Sequence, residues 1–285
     1  MFKPRLLLAS ILGLALVCPG ARADHTDNNS GWADEKRDKA IVAQAAALSW
    51  SSKAAGPLRQ LLSKREAAQA FLNYLYGYDE FEFKGTTGKY APAHLGDYRL
   101  IDLNNDGRLE LLATADFTGR AFYETLAVFT NKNGQIQSTD LTDRWAINDL
   151  DAAITDLDHD GRKELLLDRE PNEYRGTETI PGLTDIYHYD GSRLIQVDRQ
   201  FKDYYRKDLL PRLQQRLADF TAGADELEKE VTTAQNKLRQ EKLAADEQES
   251  LHDELNHNTS ILKNYRGNIV DLQAQLAEVH RLLED

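Results

Sequence analysis

The 285 residues contain a single cysteine, Cys18, and it lies within the first twenty. Lys3 and Arg5 precede an apolar run from Leu6 to Val17, and Ala21-Arg22-Ala23 follows with small residues spaced for cleavage. A basic start, a short apolar stretch and a small-residue exit form an export signal, and Leu6 to Val17 is too short to span a bilayer comfortably. We therefore expect residues 1–23 to be a signal peptide and the mature chain to begin at Asp24. Cys18 offers an alternative reading as a lipidation site, although branched Val17 stands where a small residue is usual. The expected mature chain then has no cysteine, which excludes disulfides, thiol catalysis and cysteine-bound zinc. Export without disulfides suits a bacterial periplasm or the cell exterior. No later apolar run is long enough for a transmembrane segment.

Positive charge is also scarce. The chain has 35 Lys and Arg against 47 Asp and Glu, a net charge of −12. Residues 1–23 hold three of the basic side chains (Lys3, Arg5, Arg22) and none of the acids, so the expected mature chain stands at −15. Such a chain repels phosphate backbones and favours cations, so no nucleic-acid partner is expected. The sequence has no HExxH, no GxSxG and no phosphate-cradling glycine loop, and its seven histidines do not form a ligand set.

What is present is a repeated acidic loop. Asp102-Leu-Asn-Asn-Asp-Gly-Arg-Leu-Glu110 and Asp156-Leu-Asp-His-Asp-Gly-Arg-Lys-Glu164 lie 54 residues apart, each followed by Leu-Leu. Oxygen-bearing side chains alternate along each, then comes a glycine that permits a sharp bend, then an acid three residues on. Calcium requires six to eight oxygens, and this spacing can supply most of them. The candidate ligands are Asp102, Asn104, Asp106, the Arg108 carbonyl and Glu110 in loop one. Loop two offers Asp156, Asp158, Asp160, the Arg162 carbonyl and Glu164. Up to two calcium ions are expected, with loop two the stronger site because Asn104 carries one charge fewer than Asp158. An EF-hand would need an acid at the twelfth position and an exiting helix, but those positions are Ala113 and Leu167.

The flanks repeat as well. Tyr98–Ile101 leads into loop one and Glu110–Ala113 leads out, followed by Leu126–Thr130, the turn Asn133-Gly134 and Gln135-Ile136. Ala152–Thr155 and Glu164–Leu167 flank loop two, followed by Asp185–Tyr189, Asp190-Gly191 and Leu194–Val197. Short apolar runs parted by Asn-Gly or Asp-Gly are hairpin signals, so each copy reads as a four-strand unit.

Helical texture surrounds this region. Asp34–Trp50 reads as a helix, and Ser63-Lys-Arg-Glu66 fits a capping box ahead of Ala67, Ala70, Phe71, Tyr74 and Leu75, with Gly77 as the stop. The aromatic stretch Phe71–Phe83 reads as core packing. Pro211 fits the first turn of a helix to about Thr221, interrupted by Gly223. Beyond it, Leu227, Val231, Ala234 and Leu238, and then Leu255 through Leu283, follow a coiled-coil spacing with two different phases. Either the register breaks near Glu241–Leu251 or the chain turns back. We expect an antiparallel hairpin, turning at Asn256–Ser260 with Ser260 capping its second helix.

The motif Asp102-x-Asn-x-Asp-Gly-x-x-Glu110, its copy at 156–164 and their flanking strands resemble FG-GAP and VCBS-type repeats over residues 90–200. The resemblance implies that each loop joins two strands of a propeller blade and holds one calcium. The Phe-Gly and Gly-Ala-Pro elements that name the family are not evident, and Glu replaces the usual closing Asp. Two units cannot close a propeller, so open sheet edges should be covered by the helices or by another chain.

The expected fold is α+β, with two propeller-blade-like antiparallel repeats between N-terminal helices and a C-terminal helical hairpin. The expected divisions are a signal peptide (1–23), a helical segment (24–80), the β domain (81–200) and the C-terminal helices (201–285). The expected role is non-enzymatic binding or scaffolding in a bacterial envelope, with calcium mainly structural. A protein partner is expected, and the C-terminal helices could support a homo-oligomer. The alternatives are an envelope hydrolase with a site of scattered carboxylates, and an inhibitor or immunity-type protein.

Overall fold

A computed structural model describes residues 34–284 except 84–85, 118–122, 146, 148 and 241–242. The expected signal peptide lies outside the described residues. Three helices come first: α1 (Glu35–Ala47), α2 (Gly56–Leu62) and α3 (Arg65–Tyr76). Asp34 caps α1 by accepting from the Arg37 amide at 2.9 Å. Gly77 ends α3 with a φ of 80°. The expected capping box is not formed. Ser63 is instead the C-terminal cap of α2, its hydroxyl donating to the Gln60 carbonyl at 2.8 Å. Lys64, not Ser63, occupies the N-cap position of α3, so the serine is not placed to head a box.

Strands β1 (Asp79–Phe83) and β2 (Thr86–Tyr90) form a separate antiparallel pair. Then come β3 (Ala93–Ile101), β4 (Glu110–Phe117), β5 (Tyr123–Lys132) and β6 (Gln135–Trp145), an antiparallel meander in sequence order. Its last turn, Asn133-Gly134, has φ of 56° and 82°, both in the left-handed region that Asn and Gly tolerate best. A second meander contains β7 (Ile154–Thr155), β8 (Glu164–Asp168), β9 (Thr184–Tyr189) and β10 (Leu194–Gln196). The strand expected over Ala152–Thr155 is shortened to two residues. A one-turn helix, α4 (Leu150–Ala153), precedes it because the Asp149 carboxylate caps the Ala152 amide at 3.1 Å.

Period-two alternation places successive side chains in different cores. Leu111, Ala113, Ala127 and Phe129 face α1–α3, together with Trp50, Leu58 and Phe71. Leu112, Leu126 and Val128 face the other way, onto Leu165, Leu167, Tyr187 and Tyr189 of the second sheet. The far face of the second sheet presents Leu166 and Ile186 to the C-terminal helices. The order is helices, sheet, sheet, helices. The helices thus cover the outer faces of the two sheets.

The C-terminal part begins with a short α5 (Lys202–Tyr204) and a π-turn at Tyr205–Leu209, then α6 (Leu210–Gln240) and α7 (Ala245–Glu284). These two pair antiparallel, as Asn258 donating to Glu230 at 3.1 Å and the Phe220–Tyr265 ring contact at 5.0 Å show. The hairpin expectation holds, but its turn lies between Gln240 and Ala245. Asn256–Ser260 stays helical inside α7 because the Asn258 side chain bonds across the hairpin instead of turning its own backbone. Gly223 does not interrupt α6. It admits the Tyr265 ring, which a Cβ would meet at 2.5 Å. The Leu227–Leu238 stripe packs inside the hairpin, with Ala234 buried.

Candidate metal centre

The two acidic loops join the first and second strands of their meanders and share one backbone path. Asn105 and His159 have φ of 58° and 61°, and Gly107 and Gly161 of 83° and 92°. The hydrogen bonds match too. Asp102 accepts from the Gly107 amide at 2.9 Å, as Asp156 does from Gly161 at 3.2 Å. Asp106 and Asp160 each accept from the amide two residues on, Arg108 or Arg162, at 2.8 Å. Glu110 reaches back to the Leu103 amide at 3.0 Å, and Glu164 to Leu157 at 2.8 Å. The loops are therefore wound by their own carboxylates, which gathers negative charge on the inside.

Each loop is also docked on what precedes it. The Trp50 carbonyl accepts from Leu109 at 2.7 Å and the Gly107 carbonyl accepts from Ser52 at 2.8 Å. At the equivalent point of loop two, the Leu103 carbonyl accepts from Lys163 at 2.7 Å. Gly161 lies against Asn105, whose amide a Cβ would meet at 2.5 Å. So Trp50–Ser52 braces loop one and loop one braces loop two. Nothing in the sequence of residues 50–52 signalled that role.

Loop two brings Asp156, Asp158 and Glu164 together, with one oxygen of each within 4.8 Å of the others. Calcium–oxygen distances are about 2.4 Å, so two ligands of one ion stand no farther apart than about 4.8 Å. The Asp156 Oδ1 atom is buried and has no hydrogen-bond partner among the described residues. A buried carboxylate oxygen left so is costly unless a cation meets it, so these residues fit calcium. Asp160 lies outside this trio, its carboxylate held by the Arg162 side chain at 2.6 Å. Arg108 and Arg162 occupy the seventh position, where their carbonyls are the expected ligands.

In loop one Asp102, Asp106 and Glu110 are not gathered in this way. Asn104 donates its amide to Asp106 at 3.2 Å, a bond that Asp158 cannot imitate. Burial pushes the Glu110 carboxyl up to about 7, aided by Asp106 and Asp102 and opposed by the Leu103 amide. Burial raises Glu164 as well, against the Leu157 amide. Asp156 is held below the usual carboxylate range by Lys163, and Asp160 by Arg162.

Two open cavities adjoin the loops. One, about 420 Å³, is lined by Arg99, Ile101, Asp151, Thr155, Asp156 and Lys163. The other, about 590 Å³, lies beside Trp50, Ser51, Arg108 and Asn131. No helix among the described residues is long and apolar enough to cross a membrane.

In comparisons with known proteins, neither a curated protein nor a solved structure matches this chain. A family model does match: the FG-GAP-like repeat, over residues 102–167, a span that begins at the first residue of loop one and ends in the strand leaving loop two. Residues 102–167 of this chain are therefore an FG-GAP-like repeat.

Proposed function

We propose that this chain is an exported calcium-binding protein of the bacterial envelope that works by binding or scaffolding rather than by catalysis. An FG-GAP-like repeat supports a binding or scaffold role. The observation that carries the calcium reading is the convergence of Asp156, Asp158 and Glu164, with Asp156 Oδ1 buried and without a partner among the described residues. Calcium would neutralise carboxylates that otherwise repel, and so fix the loop and the two strands it joins. Its role is then structural: an ion bound only by the folded chain adds its binding free energy to folding. Loop one, with Asn104 in place of an acid, is the weaker candidate for a second ion.

The export signal read at residues 1–23 supports an envelope location, and the partner is proposed to be a protein. Thermal melts with calcium and with a chelator test the calcium reading. Calcium should raise the melting temperature, and Asp156→Ala/Asp160→Ala should remove most of the rise. Identical melts in calcium and chelator would refute it.

A further inference from the structure

The two loops differ in what stands over their carboxylates. In loop one both Asp102 oxygens take backbone amides, Gly107 at 2.9 Å and Asp106 at 3.1 Å. The eighth position is Leu109, buried in the first core, and the Arg108 guanidinium turns away to the Asn131 carbonyl. In loop two the eighth position is Lys163, whose ammonium donates to Asp156 Oδ2 at 3.0 Å. Its backbone is fixed by the bond to the Leu103 carbonyl, so the side chain starts from a set point beside the site. Arg162 adds a second cation, its guanidinium donating to Asp160 at 2.6 Å. Loop two therefore has two cations hydrogen-bonded to its own carboxylates, whereas the loop-one guanidinium of Arg108 bonds the Asn131 carbonyl instead.

We propose that Lys163 is a tethered counter-ion that holds loop two without metal and competes with calcium for Asp156. The proposal rests on the calcium reading above. The ammonium sits on Oδ2 while Oδ1 has no partner, so two cations would share one carboxylate, each weakening the other's hold on it, and the apparent calcium affinity falls accordingly. Loop two then binds calcium against a resident positive charge, with an affinity below what its four acids alone would give.

Calorimetric titration of the full chain with calcium chloride, on the wild type, Lys163→Met and Lys163→Arg, tests this. Loop two is identified as the binding event lost in Asp158→Asn. Lys163→Met should lower the Kd of that event about tenfold, the low end for a charge-assisted bond at a partly exposed site. Lys163→Arg should retain the wild-type Kd. In chelator, Lys163→Met should melt below the wild type, since the loop has lost its internal cation. Calcium binding with an unchanged Kd in Lys163→Met overturns the competition and leaves the calcium reading standing. No calcium binding in any of the three proteins overturns both.

Discussion

Glu110 closes loop one from the strand side with its carboxyl 2% exposed and two acids beside it. Its ordinary value is 4.5, and burial raises it to about 7 in the folded chain. A carboxyl raised by folding favours the folded state while protonated. That contribution is present below pH 4.5 and is lost as pH rises through 7, a change on the order of 3 kcal/mol at most. The metal-free protein should therefore lose melting temperature between pH 5 and pH 8, and Glu110→Gln should flatten that slope. Equal slopes in chelator would contradict the assignment. Calcium should offset the loss, since it binds the ionised form. The path of both acidic loops and their bend glycines were legible in the sequence because loop geometry is local. The difference between Leu109 and Lys163 was also visible, but not its meaning, which depends on a side chain reaching seven residues back to Asp156.

Elements were legible where period and length agree. β4 and β5 carry unbroken apolar runs because both their faces are buried, against α1–α3 on one side and the second sheet on the other. The C-terminal stripes were legible as two helices, and their phase mismatch has a simple cause: each helix keeps its own register. The turn was misplaced because Asn256–Ser260 has turn composition yet continues α7, with Asn258 bonding Glu230 of α6. A polar stripe on α7 escaped notice altogether. Asn268, Asp271 and Gln275 dock the loop between β8 and β9, where Arg175 donates to Asn268 at 3.0 Å and Asp271 at 2.6 Å, and Gln275 to the Pro181 carbonyl at 3.0 Å. Polar residues at helical spacing read as a solvated face until a partner for them is known. Gly223 gives the element-scale prediction. Gly223→Val should drive the helices apart at Tyr265 and cost about 2 kcal/mol, in the range of overpacked contacts. Denaturant unfolding measures this, and Gly223→Val as stable as the wild type would show that the close approach is dispensable.

Across the whole molecule, one buried carboxylate joins three layers. Asp185 in β9 accepts from Arg144 of the first sheet at 2.9 Å and from Arg169 at 2.6 Å, while Arg169 also reaches Glu278 of α7 at 2.9 Å. Asp185→Asn removes the charge that both guanidiniums share, and should cost roughly 3 kcal/mol, as broken buried pairs do. Unfolding monitored at the β body and at the C-terminal helices should shift together. A loss confined to one probe would mean that the layers are not coupled through Asp185. The stacking of layers was not legible, since a sequence shows which residues are apolar but not which sheet face meets which neighbour. The most direct test of the calcium claim is equilibrium dialysis of the chain against calcium, read as ions bound per chain. At least one ion should bind, at loop two, with a second at loop one at higher calcium, and Asp156→Ala/Asp158→Ala should abolish the loop-two ion. No bound calcium at millimolar concentration, or binding unchanged in that double variant, would contradict it.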